Sequence, residues 1–138
     1  MSSPGRFLST IGKILSSSVV HPSSSSAIVE TDQGLVDVRP SSNLAHVNLS
    51  SVLLPGADLR NINFKGADLR NINFEGADLS GADLGGSNLK GANLRGANLA
   101  GANLGGADLS GAILTNIVVT PSTTGLPIDK TPSTGSFE

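Results

Sequence analysis

An apolar residue at every fifth position restricts the fold of this chain more than any other feature. From Leu44 to Leu114 this residue is nearly always Leu, with Phe64 and Phe74 as exceptions, and the count never slips. Extending the count to Val119 gives sixteen five-residue units over residues 42–121. A period of five is neither the 3.6 of an amphipathic helix nor the 2 of a strand, so the pattern indicates a repeat architecture.

Each position of the unit has its own residue preference. A small residue, usually Ala, stands two positions before the Leu, and Asp or Asn stands directly before it. The position after the Leu varies freely, and the last position is mostly Gly, with Asn at 61, 71 and 116. Small and large apolar residues suit a narrow interior, and Gly and Asn tolerate the positive φ of sharp corners. A single unit cannot bury its Leu, but stacked coils can, and each buried Leu contributes roughly 1.5–3 kcal/mol.

The units, which read ADLRN INFKG ADLRN INFEG ADLSG from Ala57 onward, resemble the pentapeptide-repeat family. The resemblance covers about residues 42–121. It implies an all-β fold, a right-handed quadrilateral β-helix with four units per coil and therefore about four coils. It implies no activity, because the family is functionally diverse and a fold alone assigns no function.

The segments on either side of the repeat differ from it in composition. Residues 1–26 are predicted to be an N-terminal arm and linker, and residues 122–138, rich in Pro, Ser, Thr and Gly, an extended C-terminal tail. Residues 27–41 are predicted to form a β-hairpin cap with Asp32-Gln33-Gly34 as its turn. Its expected role is to cover the open edge of the first coil, since exposed strand edges invite aggregation.

The arm contains a short apolar stripe at helical spacing, with Arg6 and Lys13 off that face. This pattern predicts an amphipathic helix that docks on a partner or on a membrane surface. An arm that orders only on binding is the alternative. The stripe consists of Phe7, Leu8, Ile11, Ile14 and Leu15.

Four units per coil would stack residues twenty apart on one face. One face then presents Lys65, Gly85 and Gly105, a flat surface suited to close approach by another backbone. Arg70 and Lys90 would form a small basic stripe, and Glu75 would stack on Arg95 as an exposed ion pair. Phe64 and Phe74, two units apart, would enter the core of one coil from opposite sides.

Apolar residues replace the usual Asp or Asn at Leu53, Ile113 and Val118, which lie in the terminal coils of the repeat. Apolar groups pointing outward from a terminal coil indicate capping contacts or subunit docking. The predicted partner contacts are therefore Phe7, Leu8, Ile11, Ile14, Leu15, Lys65, Gly85, Gly105, Ile113, Ile117 and Val118.

No combination of residues predicts catalysis, a metal site or a cofactor site. The chain has no Cys, and its two His, His21 and His46, fall in the linker and in the first weak unit. Asp58 and Asp78 could be a carboxylate pair on one face, but the same residue type recurs at this position through the repeat. The net charge of −2 and the absence of Trp and Tyr argue against nucleic acid, and no apolar run is long enough to span a membrane.

The sequence therefore predicts a non-enzymatic, structural protein–protein interaction module. Its specific form is predicted to be a viral capsid cement protein that clamps the major capsid protein with the β-helix and the arms. That form would place it on the capsid surface of the virion; the other expected location is the cytoplasm, and neither secretion nor membrane insertion is indicated. Assembly into a homo-oligomer is left open.

Two alternatives follow from other features. One is a DNA-mimicking, topoisomerase-binding protein, a role that some pentapeptide-repeat proteins have. That role calls for a long acidic rod, whereas residues 42–121 hold six acidic and five basic residues in a stack only about 20 Å tall. The other is a peripheral membrane protein anchored by the stripe in the arm, although a membrane partner is not favoured.

Overall fold

The computed structural model describes residues 27–31 and 33–126. Strands β1 (Ala27–Thr31) and β2 (Gly34–Val38) form an antiparallel hairpin in which Thr31 is opposite Gly34. The Thr31 hydroxyl accepts a hydrogen bond from the Gln33 backbone N–H (3.0 Å) and donates one to the Gly34 carbonyl (2.8 Å). The hairpin lies where the sequence predicts it, with Gly34 as the first residue of β2 and not part of the turn.

After β2 the chain winds into a stack of coils. Parallel bridges join residues twenty apart, from Asn43 with Asn63 to Asn98 with Val118, and a last bridge joins Asn103 to Thr124, twenty-one residues on. Four five-residue units therefore make one coil. The β-helix that the period and the family resemblance predict is confirmed.

Each unit ends in a tight turn that produces one corner of the coil. In one example the Ile72 N–H donates to the Leu69 carbonyl (3.2 Å) and Asn71 has φ of 58°. Positive φ at the third residue alone is the geometry of a type II turn, which explains the Gly and Asn at this position. His46, which the sequence leaves without a role, occupies one of these corners with φ of 64°.

The interior consists of the central residue and the small residue of successive units. Phe64 and Phe74 are fully buried with ring centroids 5.8 Å apart, so their predicted meeting inside one coil is confirmed. Val29 and Val38 of the hairpin are buried in the same cluster. The hairpin therefore extends the core at the N-terminal end of the stack, as its expected capping role requires.

At the C-terminal end of the regular coil, side-chain hydroxyl groups form a hydrogen-bond network with the backbone. One coil earlier, the Gly81 N–H donates to the Ala100 carbonyl. The equivalent Gly101 N–H donates instead to the side-chain hydroxyls of Thr120 (3.1 Å) and Thr123 (3.2 Å). The Thr123 hydroxyl also donates to the Leu99 carbonyl (2.7 Å). One extra residue is accommodated here, so the ladder continues to Thr124, whereas the sequence predicts an extended tail from residue 122.

Replacing Gly125 with Ala is expected to detach this last rung while the rest of the stack stays folded. Gly125 has φ of +87°, and an added Cβ would overlap the backbone of Leu104 and Gly105, which cannot move aside. Amide exchange at Leu104, whose N–H donates to the Thr124 carbonyl (2.8 Å), should accelerate at least about tenfold, or ~1.4 kcal/mol of local stability. Gly76→Ala is the control, since Gly76 has φ of +69° but nothing within 4 Å of the added Cβ. Equal exchange at Leu104 in both variants would contradict this assignment.

Candidate functional site

The Asp and Asn residues before each central residue have a structural role on the outer surface. Their Oδ1 accepts a hydrogen bond from the backbone N–H two residues on, as at Asn63 with Lys65 (2.9 Å) and Asp78 with Ser80 (3.1 Å). Side chains one coil apart also pair, since Asn103 Nδ2 donates to Asp83 Oδ1 (3.2 Å). This local bonding accounts for the recurring carboxylates, including Asp78, without catalysis.

Two ion pairs on the coil each form within a single unit. Arg60 donates through Nε and Nη2 to the two oxygens of Asp58, at 2.7 Å each, and Arg70 binds Asp68 in the same way. The hydrogen bonds from Arg60 hold the pKa of Asp58 below its usual value, and its charge also lies close to Asp78. The repulsion expected between these stacked carboxylates is thereby reduced.

The predicted pair between Glu75 and Arg95 is wrong. In the part of the chain that the structure describes, no ion pair joins these two side chains, which are both exposed. An exposed pair gains little Coulomb energy and loses side-chain entropy, so stacking on one face does not by itself bring the charges together.

The predicted basic stripe carries less free charge than the sequence indicates. Arg70 and Lys90 line a shallow groove with Ser110, but Arg70 is paired with Asp68. The pKa of Asp108 is lowered, first by hydrogen bonds from Ser110 and more weakly by the charge of Lys90. Part of the positive charge that the sequence places on this stripe is therefore offset by neighbouring carboxylates.

The predicted flat face requires a correction at Gly85. Lys65 and Gly105 are exposed, but Gly85 is buried. A Cβ added at Gly85 would lie 3.1 Å from Asp83 Oδ1 and 3.4 Å from Asn103 Nδ2, because these side chains cover it. Gly85 therefore offers no contact surface, and the flat face is interrupted in its middle.

The C-terminal coil carries the exposed apolar side chains of the stack. Ile113 is 44% exposed and Val118 is 49% exposed, directly above Asn93 and Asn98 in the ladder. Ile117, also predicted as a contact, is only 5% exposed because it takes the inward position that Ala occupies in other units. We name Ile113 and Val118 the apolar end; the predicted contacts Phe7, Leu8, Ile11, Ile14 and Leu15 lie outside the described residues.

Residues 27–31 and 33–126 contain no group of His, Cys, Asp and Glu that could hold a metal ion. His46 lies against Gly66 of the next coil, which is a corner contact. Over the same described residues, no helix is long and apolar enough to cross a membrane.

Comparisons with known proteins agree with this geometry. The family described as Pentapeptide repeats matches residues 42–81 and 77–116, with eight copies. A pentapeptide repeat protein (Rfr23) from the cyanobacterium Cyanothece 51142 is 42% identical, with a TM-score of 0.60 over 61% of this chain and 57% of that chain. The pentapeptide repeat protein alr5209 from Nostoc Pcc 7120 is 36% identical, with a TM-score of 0.51 over 64% of this chain and 71% of that chain.

A more distant similarity links the chain to QnrB1, a plasmid-mediated fluoroquinolone resistance protein. It is 25% identical over 58% of this chain and 38% of that chain, and its TM-score of 0.43 supports no inference about a partner. No curated protein matches the chain. The family match spans more than half of the sequence, and both cyanobacterial structures are of pentapeptide repeat proteins. This chain belongs to the pentapeptide-repeat family.

Proposed function

We propose that this protein is a non-enzymatic binding module that contacts a protein partner through the apolar end, Ile113 and Val118. The observation that supports the proposal is their exposure, 44% and 49%, on a surface where the ladder positions directly below are Asn. Isolated apolar residues on a surface need no explanation. Two on adjacent faces of one terminal coil, both in place of a residue that makes a structural hydrogen bond, are a stronger signal.

The chemistry of the surface favours a protein over other partners. Two of the three arginines on the coil, Arg60 and Arg70, are paired with Asp in their own units, which reduces the positive charge available for phosphate. Protein interfaces instead place apolar side chains at a desolvated centre with polar groups at the rim. The neighbours of the apolar end, Thr115, Asn116 and Thr120, supply such a rim.

The double variant Ile113→Asn, Val118→Asn is expected to lose partner binding by at least about tenfold, ~1.4 kcal/mol, while the coil stays folded. Asn continues the ladder from Asn93 and Asn98, and its Oδ1 can accept the local backbone hydrogen bond that Ile and Val cannot. Quantitative recovery of co-purifying proteins, with thermal unfolding measured in parallel, gives the comparison.

Leu53→Asn is the matched control. Leu53 takes the same position of the unit on the same face as Ile113, but in the first coil, and it is only partly exposed. We expect it to retain full binding. Equal recovery by the double variant and the wild type would refute the apolar end as the contact surface.

The finer assignments rest on the sequence. The capsid-cement role and the virion location are sequence-based predictions, and neither Rfr23 nor alr5209 is named as a virion component. The topoisomerase role is not favoured, because a coil with nearly balanced charge imitates duplex DNA poorly. Membrane attachment depends on residues 7–15, outside the described residues, and liposome co-sedimentation with and without residues 1–20 would test it.

A further inference from the structure

The hairpin has a second face that the coil does not cover. Val29 and Val38 point into the core, so the alternate residues Ile28, Glu30, Leu35 and Asp37 form the opposite face, which we name the outer face. Ile28 is 39% exposed and Leu35 is 54% exposed. Ile28 lies opposite Asp37 across the strands, and Glu30 lies opposite Leu35. Each apolar side chain of this face therefore has an acidic side chain both beside it on its own strand and across from it.

Each acid of the outer face has one carboxylate oxygen without a hydrogen-bond donor. Glu30 Oε1 and Asp37 Oδ1 are buried and have no partner in the described part of the chain, although the other carboxylate oxygen of Asp37 accepts from Arg39. Buried polar atoms nearly always have a partner, and an unsatisfied carboxylate oxygen is costly. Glu30 and Asp37 are only partly buried as whole side chains, so their carboxylates can turn toward a cationic donor placed over this face, while apolar side chains beside it would cover Ile28 and Leu35.

We propose that residues 6–15 of the same chain dock on the outer face. This segment carries apolar and basic side chains together, which is the complement of the outer face. Its cations are Arg6 and Lys13, and its apolar residues include Ile11 and Leu15. In the docked state the two cations pair with Glu30 and Asp37, and the apolar stripe packs against Ile28 and Leu35.

The chain between the two elements is long enough for this contact. Twelve residues, 16–27, separate Leu15 from Ile28, and an extended chain of that length spans roughly 40 Å. A five-residue strand is about 17 Å long, so the segment can return over the hairpin without strain. Because the ends are linked, docking in the same chain also has a loop-closure cost lower than that of recruiting a separate molecule.

The contact would shield the apolar stripe of the arm from other partners. It lies at the N-terminal end of the stack, so it is independent of the apolar end and can succeed or fail separately from the binding function proposed above.

Pairs of introduced cysteines in the full-length chain provide the test, since the natural sequence contains none. The test pair is Ile11→Cys with Leu35→Cys, and a cysteine keeps part of the apolar character of both positions. The control pair is Ile11→Cys with Ile113→Cys, which places the second thiol at an exposed apolar position of the last coil. A disulfide needs Cα atoms within about 7 Å, so the rate of oxidation reports the contact.

We expect the test pair to form a disulfide within one chain at least tenfold faster than the control pair. Glu30→Lys added to the test pair should slow the reaction at least threefold, and Lys13→Glu combined with Glu30→Lys should restore it. Equal rates in the two pairs would overturn the proposal. So would a test-pair disulfide that joins two chains, which mass spectrometry identifies, because the occupant of the outer face would then be a second copy.

Discussion

Leu84→Asp is expected to abolish the folded coil. Leu84 is fully buried, and its N–H donates to the Asn103 carbonyl of the following coil (2.7 Å). The preceding residue, Asp83, is bridged to Asn63 of the previous coil. A carboxylate at this position has no donor within the apolar interior and must be buried ionised or protonated. Either state costs several kcal/mol on top of the lost Leu packing, which approaches the ~5–15 kcal/mol total stability of a typical domain.

Asn93→Asp is the matched control for this prediction. It introduces the same carboxylate in the same half of the stack, but at the outward position where Asn93 Oδ1 accepts from the Arg95 N–H (3.0 Å). An Asp there keeps this hydrogen bond and should unfold within about 1 kcal/mol of the wild type. Urea unfolding followed by circular dichroism separates the two variants. A cooperative transition for Leu84→Asp at the wild-type midpoint would show that Leu84 does not point inward, and the register would be wrong.

The repeating part of the fold could be predicted because each unit carries the same local signals. An apolar residue at position three, a small residue at position one and Gly or Asn at position five all favour the same turn and the same interior. Such agreement between local preference and global packing makes a fold readable from sequence. The bridges between residues twenty apart, such as Asp58 with Asp78, confirm the stacking that this reading implies.

The features that the sequence did not predict depend on contacts outside the period. Gly85 is covered by the side chains of Asp83 and Asn103, so a position that looks bare in the sequence is buried. Arg60 bends back to Asp58 because an acceptor is available two residues away. The extra residue at the coil exit depends on the Thr123 hydroxyl replacing a backbone carbonyl, which no periodic count reveals.

The candidate site was only partly predictable for a related reason. Ile113 and Val118 stand where the repeat usually has Asp or Asn, which is visible in the sequence as a break in the pattern. Their exposure agrees with the predicted outward direction of these side chains. Ile117 stands in the same short stretch but takes the inward position, and composition alone does not separate the two directions. Position within the unit does, so counting from the central Val119 would have excluded Ile117.

Phe64→Ala is expected to lower the free energy of unfolding by about 3–5 kcal/mol, the cost of deleting a buried aromatic ring and leaving its cavity. Phe64 and Phe74 face each other inside one coil at 5.8 Å between ring centroids, with the ring planes tilted by 34°. The narrow interior is closed by backbone hydrogen bonds on all four sides, such as Phe64 N–H to the Asp83 carbonyl (2.7 Å), so it cannot collapse onto the cavity.

Phe64→Leu is the control, because Leu occupies the equivalent position in most other units and should cost only about 1 kcal/mol. A double-mutant cycle with Phe74→Leu should then give a coupling of about 0.5–1.5 kcal/mol, the contribution of the ring pair beyond simple burial. Urea unfolding of the four proteins of the cycle, with Phe64→Ala beside them, measures both quantities. If Ala and Leu at position 64 were equally destabilising, the deficit would come from the aromatic contact alone, and the four-sided interior would be able to close around a missing side chain. We expect the opposite, because the spacing of the walls is set by the corners and not by the residue between them.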